Sequence, residues 1–474
     1  MKKKVISSEH PIVKKKIDRT LKLSIREGAL ASVSTGLGLS YFSTFALALN
    51  ATASQVGILF AVINLLPSFA QLKAGNLIEK FSRKKILLTG MFWKVLLWIP
   101  IILTGLLFYL GVPHMVWALI ILVGIYYTIA ALIHPAWFSW MGSLVPGEKR
   151  GHYFSKRNRV IGFFSIVTMI AGAIILDSAK SIGTQRGDVL GFTLLGFGLL
   201  FATSAITRIW SAGLLKKQYE PKLHVSRKDC FSFWDFLRQG TSTSFGKFVI
   251  FRGFLSFVVA ISSPFWVVYM IRNLGFSYVW YMSITVAAIA FRLIFLPLLG
   301  KISDKYGNVK LIKICLWAIS LAPLAWILSS IINGDLAVKI YLIIIPQLLA
   351  GFGWAGYDLA VNNYVYDAVR DTKRGFCVSY MNLVVGLAIF AGASIGSLLA
   401  WINISFMNPL LFIFAISAVG RFAVTVFGVK HLHEVRNVKK FSSNYLIKEL
   451  HPVQGITREV HYLEHLVQKI EHCI

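Results

Sequence analysis

Long apolar runs alternate with short charged stretches along the whole chain. A bilayer core of ~30 Å is crossed by ~20 helical residues, and a spanning backbone has no water to bond, so a helix is the element such a run predicts. Twelve helices are predicted, at about 27–49, 54–74, 85–109, 113–141, 156–179, 188–214, 243–272, 276–300, 309–333, 337–366, 375–402 and 406–430. The division is a basic tail at 1–26, six helices over 27–214, a polar linker at 215–242, six more over 243–430, and a second tail at 431–474. The linker contains "FSFWDFL", an interfacial-helix pattern. The tail stretch "GITREVHYLEHLVQKIEHCI" has the spacing of an amphipathic helix.

Composition agrees with lipid as the main solvent: the chain is 56% hydrophobic and 15% charged, against roughly a quarter charged in soluble proteins. A net charge of +29 would fit a nucleic-acid binder, but the placement of the bases argues against one. Seven clusters hold 40 of the 49 Lys and Arg, and successive clusters are separated by pairs of apolar segments. The intervening connections "NATAS", "GVPH" and "WINISFMNP" hold none. Bases gathered on alternate loops mark the cytoplasmic side. An even number of helices then puts both termini in the cytoplasm, with the anionic inner face of the cell membrane as partner to the bases. Four scattered cysteines form no disulfide framework or metal spacing. His461 and His465 in the tail, with His472 and Cys473 beyond, lack a second ligand cluster, so no metal or cofactor is expected.

The chain also repeats itself. "GNLIEKFSRKK" at 75–85 reappears as "GKISDKYGNVK" at 300–310, an offset of 225. "VPGEKRGHYFSKRNRVIG" at 145–162 matches "VRDTKRGFCVSYMNLVVG" at 369–386 at offset 224. Two loops agreeing on an offset of six helices mean duplication in one orientation, with a pseudo-two-fold axis along the membrane normal.

On these residues the chain resembles the major facilitator superfamily, whose loop between helices 2 and 3 reads Gly-x-x-x-Asp-(Arg/Lys)-x-Gly-Arg-(Arg/Lys). Here the loop supplies Gly75, Glu79, Lys80, Ser82, Arg83 and Lys84, and the second copy Gly300, Asp304, Lys305 and Gly307. Glu replaces Asp in the first copy, and Asn308 and Val309 replace bases in the second. The resemblance covers about 27–430. It implies an all-α fold of two parallel six-helix bundles and a permease that moves a small organic solute by alternating access, as a monomer, driven by a proton, another cation or the solute's own gradient. It also implies gating loops, with Glu79 against the helix start near Gly375 and Asp304 against the start near Lys156. A receptor or scaffold derived from a transporter is the alternative, and an enzyme is not expected.

The resemblance lines the central cavity with the first, fourth, seventh and tenth helices. Their mid-depth polar and aromatic residues are Thr35, Tyr41, Tyr126, Tyr127, His134, Trp137, Trp266, Tyr269, Gln347, Trp354, Tyr357, Asp358 and Asn362. Arg292 and Asp358 lie at one depth and read as an ion pair, either structural or a proton or substrate site. Glu27 and Arg252, 225 apart, are symmetry mates that either pair across the halves or stay solvated. Lys94, Arg208 and Arg421 read as snorkelling cations.

Overall fold

The computed structural model describes residues 11–145, 150–221, 238, 243–369, 374–402, 408–435 and 438. The interfacial segment of the linker and the amphipathic tail with His461, His465, His472 and Cys473 lie outside them. So do the side chains of Gly75, Glu79 and Gly375, and with them the expected Glu79 latch.

Twelve helices are long and apolar enough to cross a membrane. They are α1 (Ile12–Ala48), α2 (Ala53–Lys73), α3 (Arg83–Tyr109), α4 (Met115–Leu144), α5 (Tyr153–Arg186), α6 (Val189–Lys216), α7 (Ser244–Asn273), α8 (Tyr278–Tyr306), α9 (Asn308–Ile331), α10 (Asp335–Ala368), α11 (Cys377–Leu399) and α12 (Pro409–His431). Each predicted helix is present, and the described residues form no strand. Large apolar side chains such as Phe92, Ile121, Phe163 and Leu195 face outward, as a lipid-facing surface requires.

Contact density divides the chain into two units. One takes residues 1–232 together with 256–283 and 378–413; the other takes 233–255, 284–377 and 414–474. The first six helices thus share a unit with one part of α7 and with most of α11.

One helix, α1, departs from expectation in two ways. α1 starts some fifteen residues early, because the basic stretch is helical and docked: Ile17 and Leu21 pack on the cluster around Leu87, Trp140 and Leu144. Thr20 Oγ1 there accepts the N–H of Tyr219 at 3.0 Å. Near its other end α1 is interrupted by a 3-10 turn at Leu39–Tyr41, just after Gly38. A Cβ at Gly38 would stand 2.4 Å from the Trp98 ring, so only glycine permits this approach of α1 to α3.

The charged loops are not simple headgroup anchors. Arg83 is 1% exposed. Its Nε bonds Glu220 Oε1 at 3.2 Å, Nη1 bonds the Ser139 carbonyl and Ser143 Oγ, and Nη2 bonds the Pro221 carbonyl at 2.6 Å. Glu220 also receives the backbone N–H groups of Arg83 and Lys84 at the start of α3. This satisfies orphan donors where the helix dipole favours an anion.

The other unit repeats the arrangement with different side chains. Val309, the counterpart of Lys84, gives its N–H to Glu434 Oε2 at 2.8 Å. Asn308 stands where Arg83 does, and its Nδ2 bonds Asp367 Oδ2 at 2.8 Å, as Arg83 bonds Ser143. Trp140 donates to the Tyr219 carbonyl, and Tyr364, 224 positions on, donates to the His433 carbonyl. Duplication therefore extends to individual hydrogen bonds.

Removing Glu220 leaves a buried guanidinium without its carboxylate, a loss on the order of 3 kcal/mol. Glu434 caps one backbone donor, a loss of about 1 kcal/mol. Glu220→Ala is therefore expected to lower the thermal unfolding midpoint of purified protein well below that of Glu434→Ala. Equal midpoints would contradict the Arg83 account.

Candidate functional site

A charge in a spanning helix is costly unless it is paired or lines a polar cavity. Among the described residues two carboxylate–guanidinium pairs have both partners inside spanning helices, one in each unit. In the second unit, Arg292 Nη1 of α8 lies 3.0 Å from Asp358 Oδ2 of α10. Gly351 makes this possible: a Cβ there would be 2.6 Å from Phe291 Cβ and 2.9 Å from the Ala288 carbonyl. The two helices thus touch backbone to backbone, two turns from Asp358. The pair is open, with the side chains 45% and 36% exposed. Arg252 of α7 also acts electrostatically on Asp358 and on neighbouring Tyr357. Asp358 therefore feels two guanidinium groups and keeps a free face.

Around it, Trp354 sits edge-on to Tyr357, ring centroids 5.6 Å apart. Tyr357 is buried, and its hydroxyl has no hydrogen-bond partner. Asn362 is exposed one turn from Asp358. Gln347, expected in the cavity, is instead buried and donates to the Leu342 carbonyl on its own helix at 3.2 Å.

In the first unit, Glu27 Oε2 is 3.5 Å from Arg157 Nη2, and Oε1 accepts from Ser211 Oγ at 3.0 Å. The Arg157 guanidinium lies 4.4 Å from the Trp137 ring centroid, and His134 is exposed beside Trp137. Glu27 is therefore not a solvated charge. Arg157, which reading the sequence left among the loop bases, meets Glu27 within the first six helices.

The aromatic candidates separate. Trp266 and Tyr127 are half-buried, and Tyr269 is buried in a π turn closing α7. Tyr41 is not a cavity residue: it is fully buried, its hydroxyl bonds the Met169 carbonyl, and it packs on Phe197. Tyr126 is also fully buried, against Trp98 and Phe42. Of the loop residues, Asp304 is exposed and makes no hydrogen bond or ion pair among the described residues.

A third carboxylate, Asp177 of α5, was not expected. Its two oxygens accept the N–H groups of Tyr278 and Val279, both at 2.9 Å, at the start of α8. In the same unit Ser54 Oγ donates to the Ser397 carbonyl at 2.6 Å, and toward the opposite ends of α2 and α11 Asn382 Nδ2 donates to Gln71 Oε1 at 3.1 Å. These bonds tie α2 and α5 to α8 and α11.

Residues 248–452 match the model of the Major Facilitator Superfamily. The match spans somewhat less than half of the chain, which is over those residues similar to that superfamily. Its fold is shared with a bacterial homologue of the iron transporter ferroportin in an inward-facing state, at 14% identity and TM-score 0.65, covering 88% of this chain and 99% of that one. A D-xylose-proton symporter matches at 16% identity and TM-score 0.64, covering 90% and 100%. The nucleoside transporter NupG matches at 13% identity and TM-score 0.62, covering 88% and 98%. At such identities the likeness is one of fold. With twelve helices long and apolar enough to cross a membrane, the chain is a multi-pass membrane protein.

Because Tyr41 acts in the core, Tyr41→Phe is expected to cost about 1 kcal/mol of stability. It should leave solute affinity unchanged. A tenfold loss of affinity in a binding titration on folded variant would return Tyr41 to the cavity.

Proposed function

We propose that this protein is a secondary active transporter of a small organic solute in the cell membrane, with both termini cytoplasmic and with Asp358–Arg292 as its coupling pair. The openness of that pair carries the reading. A closed-off ion pair has no room to exchange partners, whereas here about a third of the Asp358 side chain and nearly half of the Arg292 side chain are open to their surroundings. Trp354 and Asn362 beside it suit a solute with an apolar face and a few polar groups. A proton or the solute competes with Arg292 for Asp358, so occupancy is linked to the packing of α8 against α10.

Alternating access needs contacts that form in one state and break in the other. Asp177 on the start of α8 and Ser54 on Ser397 fit such a closure. Asp177 is well placed for this, because a carboxylate on free N-terminal N–H groups is favoured by the helix dipole and separates without breaking a covalent or apolar core. By the placement of the bases this end is extracytoplasmic. The xylose-proton symporter and the nucleoside transporter are solute carriers of this fold by their names, which accords with an organic solute here.

Two outcomes test this reading. In proteoliposomes, Asp358→Asn is expected to abolish accumulation against a gradient while retaining counterflow; undiminished accumulation would remove Asp358 from coupling. Asp177→Ala is expected to raise labelling of a cysteine placed at Tyr278 by an impermeant reagent severalfold. Unchanged labelling would show that Asp177 is not a closing contact. Wild-type protein that binds solute but shows neither flux nor counterflow would favour the receptor alternative.

A further inference from the structure

Inside the first six helices lies a second concentration of charge that the Asp358 site does not use. Lys94 of α3 is 5% exposed. It sits eleven residues from the start of α3, roughly 16 Å along the helix. Its side chain does not snorkel: Nζ lies over the Tyr126 ring, 4.4 Å from the centroid. Arg208 of α6 is close enough for its charge to act on both Lys94 and Tyr126. Among the described residues, neither cation has a carboxylate or any other hydrogen-bond acceptor. Glu27, the buried acid of these six helices, accepts from Ser211 through Oε1 and lies 3.5 Å from Arg157 through Oε2, which makes no hydrogen bond among the described residues.

The groups around these cations are donors that also lack acceptors. Trp98 Nε1, Tyr126 Oη, Ser34 Oγ and Arg208 Nε are all buried with no hydrogen-bond partner. Trp98 is one turn from Lys94 on α3, and its ring lies 5.5 Å from that of Tyr126. Gly38, one turn from Ser34 on α1, abuts Trp98 and Ser204, and Ser204 is one turn from Arg208 on α6. Four helices thus bring together two basic side chains and three neutral donors, with no carboxylate bonded to any of them among the described residues. Buried polar groups left unsatisfied cost ~1–3 kcal/mol each, and unpaired buried charges more.

The second six helices show what a closed version looks like. Arg421 is also buried, but its Nε bonds Ser417 Oγ and its Nη1 bonds the Ile319 carbonyl, both at 3.1 Å. The position matching Lys94 at offset 224 is Ala318. The first half therefore carries an added cation and keeps its donors free.

We propose that Lys94, Arg208, Tyr126, Trp98 and Ser34 together bind a small inorganic anion, a halide or a compact oxyanion, inside the first six helices. Charge selects the ligand class, since water could satisfy the donors but would leave two positive charges uncompensated. Burial limits its size. The anion would hold α1, α3, α4 and α6 together, independently of the solute site.

The test uses purified full-length protein in detergent, with sodium chloride or sodium nitrate titrated against sodium gluconate at constant ionic strength. A ligand that binds only the folded state raises the unfolding midpoint saturably. Chloride or nitrate is expected to do so in wild type, and the rise is expected to vanish in Lys94→Met and Arg208→Gln. In gluconate, Lys94→Met is expected to unfold at a higher temperature than wild type, because it removes an unpaired buried charge. Should either variant fail to fold, Trp98→Phe keeps the ring and deletes one donor, and it is expected to raise the half-saturating anion concentration roughly fivefold. Equal midpoints in all three salts, or an undiminished rise in the folded variants, would overturn the site.

Discussion

Lipid offers no hydrogen bonds, so every polar group inside this protein must be answered by another part of the chain. That constraint explains where the carboxylates are. Few acids lie near the helices, and almost every described one is committed. Glu220 and Glu434 answer the starts of α3 and α9, Asp177 answers the start of α8, Glu27 answers Arg157, and Asp358 answers Arg292. Bases outnumber acids, 49 to 20, so acids are the scarce partner. Arg421 is left to carbonyl and hydroxyl oxygens, and Lys94 and Arg208 bond no oxygen among the described residues.

The distribution separates permanent fastenings from movable ones. Glu220 binds two backbone donors and a buried guanidinium within one bundle, and breaking it exposes Arg83 to an environment without replacement partners. Asp177 binds only backbone N–H groups of another helix, and Asp358 keeps an open face. Contacts of the second kind can exchange with water, a proton or a solute at modest cost. They are the contacts a transport cycle can use.

Duplication has preserved geometry more faithfully than chemistry. The 84/309 and 140/364 positions make equivalent hydrogen bonds, although Lys has become Val and Trp has become Tyr. Backbone donors and helix starts stay where the fold puts them, so any side chain of suitable reach can meet them. The charged loop motif decayed in its second copy because Asn308 and Asp367 do there what Arg83 does in the first.

The apolar runs determined the twelve helices, and the placement of bases and the 224–225 offset determined the duplicated family fold, because lipid admits helices and little else. Arg292 with Asp358 was also legible, since two opposite charges at one depth have few alternatives in hydrocarbon. Tertiary structure alone decided that Glu27 meets Arg157, that Tyr41 belongs to the core and that Lys94 turns inward. Those outcomes depend on how helices are rotated about their axes, and rotation is set by side chains from several helices meeting at once, such as Trp98 against Gly38. Glu220 and Glu434, each four residues after Lys216 or Lys430, had left a repeated Lys-x-x-x-Glu in the sequence, but only the fold showed which helix starts they serve.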